Sequence, residues 1–346
     1  MKTLVIHIGC HKTGTTSLQN YLHENSETLK SDGIHYLAAG RGKRISSHKP
    51  MAIDLQQSGK QHDRGPWRAA ADEIKASETS EIFVMSAEGF CLVEPDILHG
   101  ALRDVADTGT AIKVVCYVRP HAAAIASLFS QTAKFGRQTP ISDYIKITAR
   151  NNLFRYHTQY TQWSAIFGEE NVSWRPYIKS RLTGGDVIED YLAELGYDVE
   201  NKPFKPASDN SNVSPGHGAL AQIAQIWRFA KAAKGRKDEF EPDFRIRLGE
   251  YLISEISSLH ANDQKFRLPA DDYASVVELY HEDASLLDKQ VFGEPIFEKA
   301  LLEYEPGLDT FTMDPRDILG DKTGEQALRY AKIIGEVIEL SERSGK

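Results

Sequence analysis

The stretch His7–Ser17, HIGCHKTGTTS, decides the fold. Before it, the run Leu4–Ile8 is apolar and rich in β-branched residues, which predicts a short buried strand. Within it, Gly9 and Gly14 bracket a turn whose backbone approaches a neighbouring group closely. After it, apolar residues recur at helical spacing from Leu18 onward. A strand, a tight loop and a helix start direct backbone N–H groups and hydroxyls at an anion, so this stretch predicts a phosphate-binding loop.

The loop differs in one respect from the loop that binds nucleoside triphosphates. That loop has the form GxxxxGK[ST], and its lysine reaches the β- and γ-phosphates. Here both glycines and the final threonine are kept, but Thr15 stands at the position of the lysine, and the lysine lies earlier, at Lys12. The shift argues against a kinase or an NTPase and favours a ligand with a single 5′-phosphate that carries a transferable group. A strand-to-helix turn that binds nothing is the plain alternative.

The segment His11–Leu18, HKTGTTSL, resembles the PKSGTTWL loop of the sulfotransferases that use 3′-phosphoadenosine 5′-phosphosulfate (PAPS). In that family the loop surrounds the 5′-phosphosulfate group, and its lysine is catalytic. The resemblance implies the catalytic role for Lys12. It also implies contacts with the co-substrate for the loop residues His11, Lys12, Thr13, Gly14, Thr15, Thr16 and Ser17. His11 departs from the family pattern, which has a proline there.

A second segment extends the resemblance. Ala111–Val118 is a predicted strand that ends in Arg119, and Pro120 suits the first turn of the helical run that follows. The carboxyl end of a parallel strand is where open α/β sheets bind ligands. Arg119 and Ser127 keep the spacing of the family's YVRNPxDVxxS element, so the resemblance implies that both hold a 3′-phosphate. Standing alone, such an arginine is more often a surface ion-pair partner.

A third and weaker match follows these two. Asn171–Tyr177 is predicted to be a strand that leads into a loop, and Gly185–Gly196 a helix that ends at glycine. Tyr177 maps onto a family tyrosine near the adenine, where an aromatic ring suits base stacking, but a core role is equally open. The polar segment 202–214, with Ser214 as a predicted helix N-cap, lies where the family completes its 3′-phosphate pocket. The resemblance covers about 130 residues firmly, the next 70 or so loosely, and nothing beyond.

Sulfuryl transfer, like phosphoryl transfer, is an in-line displacement with negative charge developing on oxygen. Lys12 is the natural cation for the leaving oxygen, and a base near the attacking hydroxyl or amine completes the set. Glu88, directly after the predicted strand Glu81–Ser86, is the first candidate, and His48 is the alternative. The plain alternatives are an ion-pair carboxylate and a solvated loop histidine. We expect His7 to be a buried, hydrogen-bonded strand residue.

The composition of the chain argues against several classes of protein. With 346 residues, 41% of them hydrophobic, the chain can bury a substantial core. A formal net charge of −8 argues against nucleic acid as the main partner. The three cysteines, Cys10, Cys91 and Cys116, have neither disulfide-framework nor metal-ligand spacing, so no metal is expected. Without a signal-peptide pattern or an apolar run of membrane-spanning length, we expect a cytoplasmic protein that does not insert into membranes.

Alternating strands and helices predict an α/β fold, a P-loop-like three-layer α/β/α arrangement around a central parallel sheet with a helical C-terminal extension. We expect the α/β core over residues 1–200. Residues 201–346 are predicted to be mainly helical, to complete the same domain, and to cover the acceptor side or form homodimer contacts. A helix is predicted over about residues 15–30, and residues 40–66 are predicted to be polar and irregular. Beyond residue 214, one helical face is predicted for Leu220, Ile223, Trp227 and Ala230, and another for Tyr251, Ile253, Ile256 and Leu259.

The resemblance implies a sulfotransferase that moves a sulfuryl group from PAPS to a hydroxyl or amine of a saccharide or lipid-like acceptor. The product would be 3′,5′-adenosine bisphosphate (PAP). A P-loop nucleotide kinase and a nucleotide-binding module without catalysis are the alternatives. ATP turnover with magnesium would favour the kinase, and tight PAP binding without turnover would favour the module.

Overall fold

The computed structural model describes residues 1–42, 45–137, 139–197, 199, 215–234, 240–257 and 264–307. The chain divides into two compact units that alternate along the sequence. The first comprises Met1–Pro120, Arg155–Ser211 and Glu282–Ala300, and the second comprises His121–Phe154, Asn212–His281 and Leu301–Lys346. The division into a core over residues 1–200 and an extension over 201–346 stays a prediction.

The first unit is built on a five-stranded sheet. Its strands are β1 (Thr3–His7), β2 (Ile34–Tyr36), β3 (Ile82–Ser86), β4 (Ala111–Val118) and β5 (Val172–Pro176). Their spatial order is β2-β3-β1-β4-β5, and each neighbouring pair is parallel. The predicted α/β fold with a central parallel sheet is confirmed.

Helices connect these strands and make up most of the remaining described chain. In chain order the α-helices of the described residues are α1 (Thr15–Glu24), α2 (Ser26–Ser31), α3 (Lys49–Ser58), α4 (Gly65–Ala76), α5 (Pro95–Ala101), α6 (Arg103–Ala106), α7 (His121–Lys134), α8 (Ile141–Arg150), α9 (Tyr156–Phe167), α10 (Val187–Glu194), α11 (His217–Lys234), α12 (Pro242–Ser257), α13 (Ala270–Leu287) and α14 (Phe297–Leu302). Helices α1–α6, α9 and α10 belong to the first unit, and α7, α8, α11 and α12 to the second. None of the described helices combines the length and the hydropathy that crossing a bilayer requires.

Both faces of the sheet are covered within the first unit. On one face, Val5, Val84 and Val115 pack with apolar residues of α1 and α10. On the other face, Tyr160 of α9 meets Trp174 of β5 edge to face, with ring centroids 5.7 Å apart. Parallel strands buried on two faces are continuously apolar rather than alternating, which is why β1, β3 and β4 could be recognised from their composition. The result is the predicted arrangement of helix layers around a sheet.

The second unit is helical over its described residues. The predicted helical face of Leu220, Ile223 and Trp227 is confirmed, since all three are fully buried on α11. Trp227 donates its indole N–H to the carbonyl of Lys134 at 2.9 Å. Leu259, predicted to share a face of the next helix, lies outside the described residues.

Two predictions about the first 66 residues need correction. Residues 40–66 are not irregular throughout, because α3 and the start of α4 lie there. Only Met51, Ala52 and Leu55 of α3 are buried, and so short an apolar stripe among polar residues carries little helical signal. The helix predicted over residues 15–30 is interrupted at Asn25, whose side-chain amide donates to the carbonyl of Tyr21 at 2.9 Å and so competes with the helical ladder.

Other boundaries also differ from expectation. Helix α7 begins at His121, one residue after Pro120, so that proline precedes the first turn. Helices α8 and α9 are not among the predicted elements. The segment 202–214, including Ser214, lies outside the described residues.

Candidate functional site

The loop after β1 lies where the connections of the sheet change direction. β1 has β3 and β2 on one side and β4 and β5 on the other. Chain connections that leave a central strand toward both edges create a crevice at the carboxyl ends of the strands, and open α/β sheets bind ligands there. The predicted phosphate-binding loop and Arg119 follow β1 and β4, the two strands that flank this point.

β4 extends past β1 and supports the loop. His7, the last residue of β1, is in register with Val115, and β4 continues beyond this pair. Along that extension the N–H of Ile8 donates to the carbonyl of Val115 at 3.0 Å, and the N–H of Cys10 donates to the carbonyl of Tyr117 at 3.3 Å. The first part of the loop is therefore held by β4 as if it continued the sheet.

The loop backbone is left-handed at three positions. Gly9, Lys12 and Gly14 have φ angles of +45°, +67° and +74°. Glycine adopts this conformation freely, but for a lysine it costs on the order of 1 kcal/mol. Among the described residues only one other non-glycine residue, Asn152, has a positive φ. Left-handed residues next to ordinary ones turn consecutive N–H groups to one side, as in anion-binding loops.

Helix α1 begins directly after this turn. Its N-cap is Gly14, which has no side chain to cap the first turn, and the N–H of Leu18 donates to the carbonyl of Gly14 at 3.1 Å. The N–H groups of a helix's first turn precede the helical ladder and carry partial positive charge. A Cβ added to Gly14 would lie 2.8 Å from Val187 Cγ1 and 3.3 Å from the Tyr177 hydroxyl. Tyr177 thus lies beside the loop, as its predicted role requires, while its ring also packs against the core.

The hydroxyls of the loop face different ways. Thr13 is fully buried, and its hydroxyl donates to the carbonyl of Cys10 at 2.7 Å. Thr15 is also buried, Ser17 is half-buried, and Thr16 is exposed. The Thr13 side chain therefore braces the loop, a role that the resemblance did not suggest. The contacts of these four residues with a co-substrate stay predictions.

Arg119 reaches the loop from the end of β4. Its Nη1 donates to the carbonyl of Lys12 at 3.4 Å, and both side chains are half-buried. The structure thus brings together two cationic residues that are 107 positions apart. Ser127, their predicted companion, is half-buried on α7 in the second unit, and its contact with a 3′-phosphate stays a prediction.

Glu88 contacts the same loop from β3. It opens a 3₁₀ turn, Glu88–Leu92, just after the strand end at Ser86. Its Oε1 lies 2.5 Å from Nδ1 of His11, and the side chains of His11 and Glu88 are 23% and 35% exposed. The sequence suggested separate roles for these residues, as a loop residue and as a base. A contact across 77 positions could not be found without the parallel register that aligns β1 with β3.

A buried hydrogen-bond network lies next to this pair. Nδ1 of His7 is 2.8 Å from the Ser86 hydroxyl, to which the side-chain amide of Gln19 donates at 3.1 Å. Burial lowers the pKa of His7 to about 4, although the charge of Glu88 opposes the shift. The expectation that His7 is a buried, hydrogen-bonded strand residue is confirmed.

His48 belongs to the same buried region. The N–H of Ser86 donates to its Nδ1 at 3.1 Å, and its ring meets Tyr36 edge to face. The side chain is fully buried, so it is not a solvated loop histidine, and burial lowers its pKa to about 3, with a smaller contribution from Arg41. A general base must come within hydrogen-bond distance of the proton it removes. This burial argues against the predicted role of His48 as a base.

The three cysteines also lie around the loop. Cys10 and Cys116 have their sulfur atoms 3.4 Å apart, and Cys91 donates to the carbonyl of Glu88 at 3.1 Å. Hydrogen bonding to Cys116, together with burial, raises the pKa of the Cys10 thiol. Protonated, buried thiols behave as small apolar groups, so they pack the base of the loop. Within the described residues, no group of three or more His, Cys, Asp or Glu side chains is arranged to hold a metal ion.

Comparisons with known proteins give three findings. No family model matches the chain. An uncharacterized protein of Archaeoglobus fulgidus is 24% identical over 239 residues, which are 67% of this chain and 58% of that protein, so the chain spans less than two thirds of this relative. The crystal structure of a sulfotransferase from Alicyclobacillus acidocaldarius matches with a TM-score of 0.40 and 14% identity, over 81% of this chain and 96% of that one. A likeness of that size carries no argument about function.

Proposed function

We propose that this protein is a PAPS-dependent sulfotransferase that transfers a sulfuryl group to a hydroxyl or amine of an acceptor. One observation carries the proposal: Arg119, at the end of β4, donates to the carbonyl of Lys12 in the loop after β1. Two cationic residues held at neighbouring strand ends suit one ligand with two anionic groups. An adenosine 3′,5′-bisphosphate moiety carries two such groups.

The residues around the loop fit such a ligand. The first turn of α1 has no side-chain cap at Gly14, so its N–H groups and the left-handed turn at Lys12 suit a phosphate. The Tyr177 ring, beside Gly14, offers an aromatic surface for the base. Thr16 presents an exposed hydroxyl at the same helix start.

Each residue has a defined task in this proposal. PAPS supplies an already activated sulfuryl group, so the protein has to position the reactants and stabilise charge. The ammonium group of Lys12 stabilises the negative charge that develops on the 5′-phosphate oxygen. Arg119 fixes the carbonyl of Lys12 and thereby the left-handed turn. The proton of the acceptor hydroxyl or amine is accepted by the pair of His11 and Glu88.

The kinase alternative finds less support. In a triphosphate-binding loop the lysine occupies the position of Thr15, at the start of the helix, from which it reaches the β- and γ-phosphates. Thr15 is 4% exposed, so this position is filled by a small buried side chain. The lysine lies in the turn before it, which suits a nucleotide with a single 5′-phosphate.

Calorimetry with PAP and with ATP tests the nucleotide, and labelled PAPS offered to saccharides, lipids and phenols tests the transfer and the saccharide or lipid-like acceptor. We expect PAP to bind and ATP to bind at least about 10-fold more weakly, since only PAP offers a 3′-phosphate to a second cation. Lys12→Ala should lower transfer by about 10²–10³-fold, the usual loss for one group that stabilises a developing charge, with PAP affinity changed only a few-fold.

Lys30→Ala is the control, because Lys30 is an exposed lysine of α2. It should leave transfer unchanged. Tight ATP binding without PAP binding would overturn the proposal, and full transfer by Lys12→Ala would refute the role of Lys12.

A further inference from the structure

The contact between His11 and Glu88 distinguishes two candidates for one task. We infer that His11 is the general base of the reaction and that Glu88 is its positioning residue. Nε2 of His11 takes the proton from the attacking hydroxyl or amine, and the Glu88 carboxylate holds Nδ1 on the other side of the ring. This inference rests on the proposed function and concerns the same site.

The hydrogen bond selects one tautomer of His11. A carboxylate only accepts hydrogen bonds, so Nδ1, which lies 2.5 Å from Glu88 Oε1, carries the proton in the neutral imidazole. Nε2 then has the free lone pair, as a base requires. The His11 side chain is 23% exposed, so a substrate hydroxyl can approach the ring.

The backbone on both sides of His11 is fixed. Cys10 donates its N–H to the carbonyl of Tyr117, and the carbonyl of Lys12 accepts from Arg119. The ring is therefore positioned by β4 through the backbone and by Glu88 through its Nδ1. A base held in this way loses little entropy when the reacting atoms align.

The position of the ring distinguishes His11 from two other histidines of the site. The other histidines near the strand ends, His7 and His48, are fully buried and bonded to Ser86. His11 is the histidine of this group with a solvent-exposed ring.

The charged and titratable neighbours of His11 belong to four parts of the chain. In the loop these are Lys12 and the buried thiol of Cys10, and the guanidinium of Arg119 reaches the loop from β4. From the chain after β3 come Glu88 and the thiol of Cys91. Glu88 also acts on the buried imidazole of His7 in β1. Any of these groups could contribute to a change in the pH dependence of transfer, so such a change has to be assigned by comparing variants.

The reaction step balances as follows for an acceptor hydroxyl. Its O–H bond breaks, His11 Nε2 takes the proton, and the oxygen's electron pair forms the new bond to sulfur. The bond from sulfur to the 5′-phosphate oxygen breaks, and its electron pair stays on that oxygen, facing the Lys12 ammonium. His11 becomes an imidazolium beside the Glu88 carboxylate and later gives its proton to water.

A spectroscopic measurement tests the positioning without depending on activity. In the ¹⁵N-labelled full-length protein, long-range ¹H–¹⁵N correlation spectra report which ring nitrogen of each histidine is protonated. We expect His11 to be protonated on Nδ1 in the wild type and to lose that preference in Glu88→Ala. A wild-type His11 protonated on Nε2 would overturn the inference.

Kinetics then separate base from positioning residue. PAPS consumption is measured with octyl glucoside, glucosamine or water as acceptor, alongside calorimetry with PAP. His11→Ala should lower turnover by about 10²–10⁴-fold, as loss of a general base does, and Glu88→Ala by about 10–100-fold, as loss of an orienting partner does. PAP affinity should change only a few-fold. Added imidazole should restore part of the turnover of His11→Ala and none of that of Glu88→Ala.

His35→Ala is the matched control, because His35 also bonds a glutamate but lies at the edge strand β2. It should keep wild-type turnover per folded molecule and not respond to imidazole. A larger loss in Glu88→Ala than in His11→Ala would make Glu88 the direct base and overturn the inference. A wild type that fails to bind PAP overturns the proposed function and this inference together, whereas binding with full transfer by His11→Ala overturns the inference alone.

Discussion

The first unit contains two histidine–glutamate pairs whose carboxylates do different work. His35 and Glu73 lie at the edge of the sheet, with Nε2 and Oε1 2.9 Å apart. Glu73 also accepts from the two N–H groups of Ala38–Ala39 at 2.8–3.1 Å. For the Glu88 side chain, the hydrogen bond to His11 is the one found among the described residues. A carboxylate that holds backbone N–H groups organises a turn, whereas one that holds only an imidazole is suited to orienting that ring.

The pair of His35 and Glu73 also shows that a cavity is not by itself a binding site. His35 and Glu73 line a cavity of about 290 Å³ between α2, α4 and the chain after β2. Glu73, which lines it together with Glu27, Lys30 and Arg41, already accepts from the N–H groups of Ala38 and Ala39. Two cationic residues and a helix start meet instead at the loop after β1.

The largest expected effect concerns two buried histidines, of which His7 contacts the hydroxyl of Ser86 and His48 its backbone N–H. His7 and His48 have pKa values lowered from 6.5 to about 4 and about 3 by burial. The unfolded chain therefore takes up protons below pH 6.5 that the folded protein does not. Stability should be full at pH 7 and fall from pH 6.5 toward pH 4, by about 3 kcal/mol for each histidine.

Urea unfolding between pH 7 and pH 4 measures this slope. His48→Asn should make it shallower, because one buried imidazole is removed. A midpoint that does not move over this range would contradict the burial of both rings.

The next effect separates the two carboxylates directly. Burial alone would raise the pKa of Glu73, but hydrogen bonds from His35 and from the N–H groups of Ala38–Ala39 lower it from 4.5 to about 2. The contribution of Glu73 to the free energy of unfolding is therefore present above pH 4.5 and is lost as the pH falls toward 2. Because the carboxylate is partly solvated, we expect this contribution to be about 2 kcal/mol, which is less than the full pKa shift implies.

Glu73→Gln should lose about this amount at pH 7 and leave transfer unchanged. Glu88→Gln should change the free energy of unfolding by less than about 0.5 kcal/mol and lower transfer. Denaturant unfolding of both variants checks the stabilities. Equal destabilisation by the two substitutions would remove the distinction between the pairs.

The smallest expected effect concerns backbone strain. Near His35 the left-handed positions are the glycines Gly33 and Gly40, whereas beside His11 the left-handed residue is Lys12. Lys12→Gly relieves the strain but adds unfolded-state entropy, so the free energy of unfolding should rise by about 0.5 kcal/mol while transfer is lost.

Asn152→Gly is the matched control, because asparagine tolerates a positive φ and should be nearly neutral there. Chemical denaturation of both variants measures the difference. A Lys12→Gly protein less stable than the wild type would mean that the lysine side chain contributes more to stability than its backbone strain removes.

The sequence was most informative where the residues of the site follow one another along the chain. β1, the loop and the start of α1 follow one another, so their residue types alone predicted a strand, a turn with glycines and an anion-binding helix start. The carboxyl ends of β3 and β4 could also be placed at one edge, since both strands are apolar at most positions, as buried parallel strands are. That was enough to bring Lys12, Arg119 and Glu88 to the same side of the sheet.

The missed features depend on packing between distant segments. The contact of His11 with Glu88 depends on the register of β1 and β3, and the burial of His48 depends on Ser86 and Tyr36. The hydroxyl of Thr13 turns inward because the carbonyl of Cys10 is within reach, which no residue pattern indicates. Helix α3 has too few buried positions to produce a helical periodicity.

The overhang of β4 beyond β1 limits which changes in length this chain can accept. Successive strand residues point to opposite faces and advance by about 3.3 Å. One residue inserted or deleted between Val115 and Tyr117 would shift the carbonyl that holds Cys10 and turn the guanidinium of Arg119 away from Lys12. Insertions should therefore be far less tolerated in those few residues than in the surface connections of the unit, whose lengths do not set the distance between the two cations.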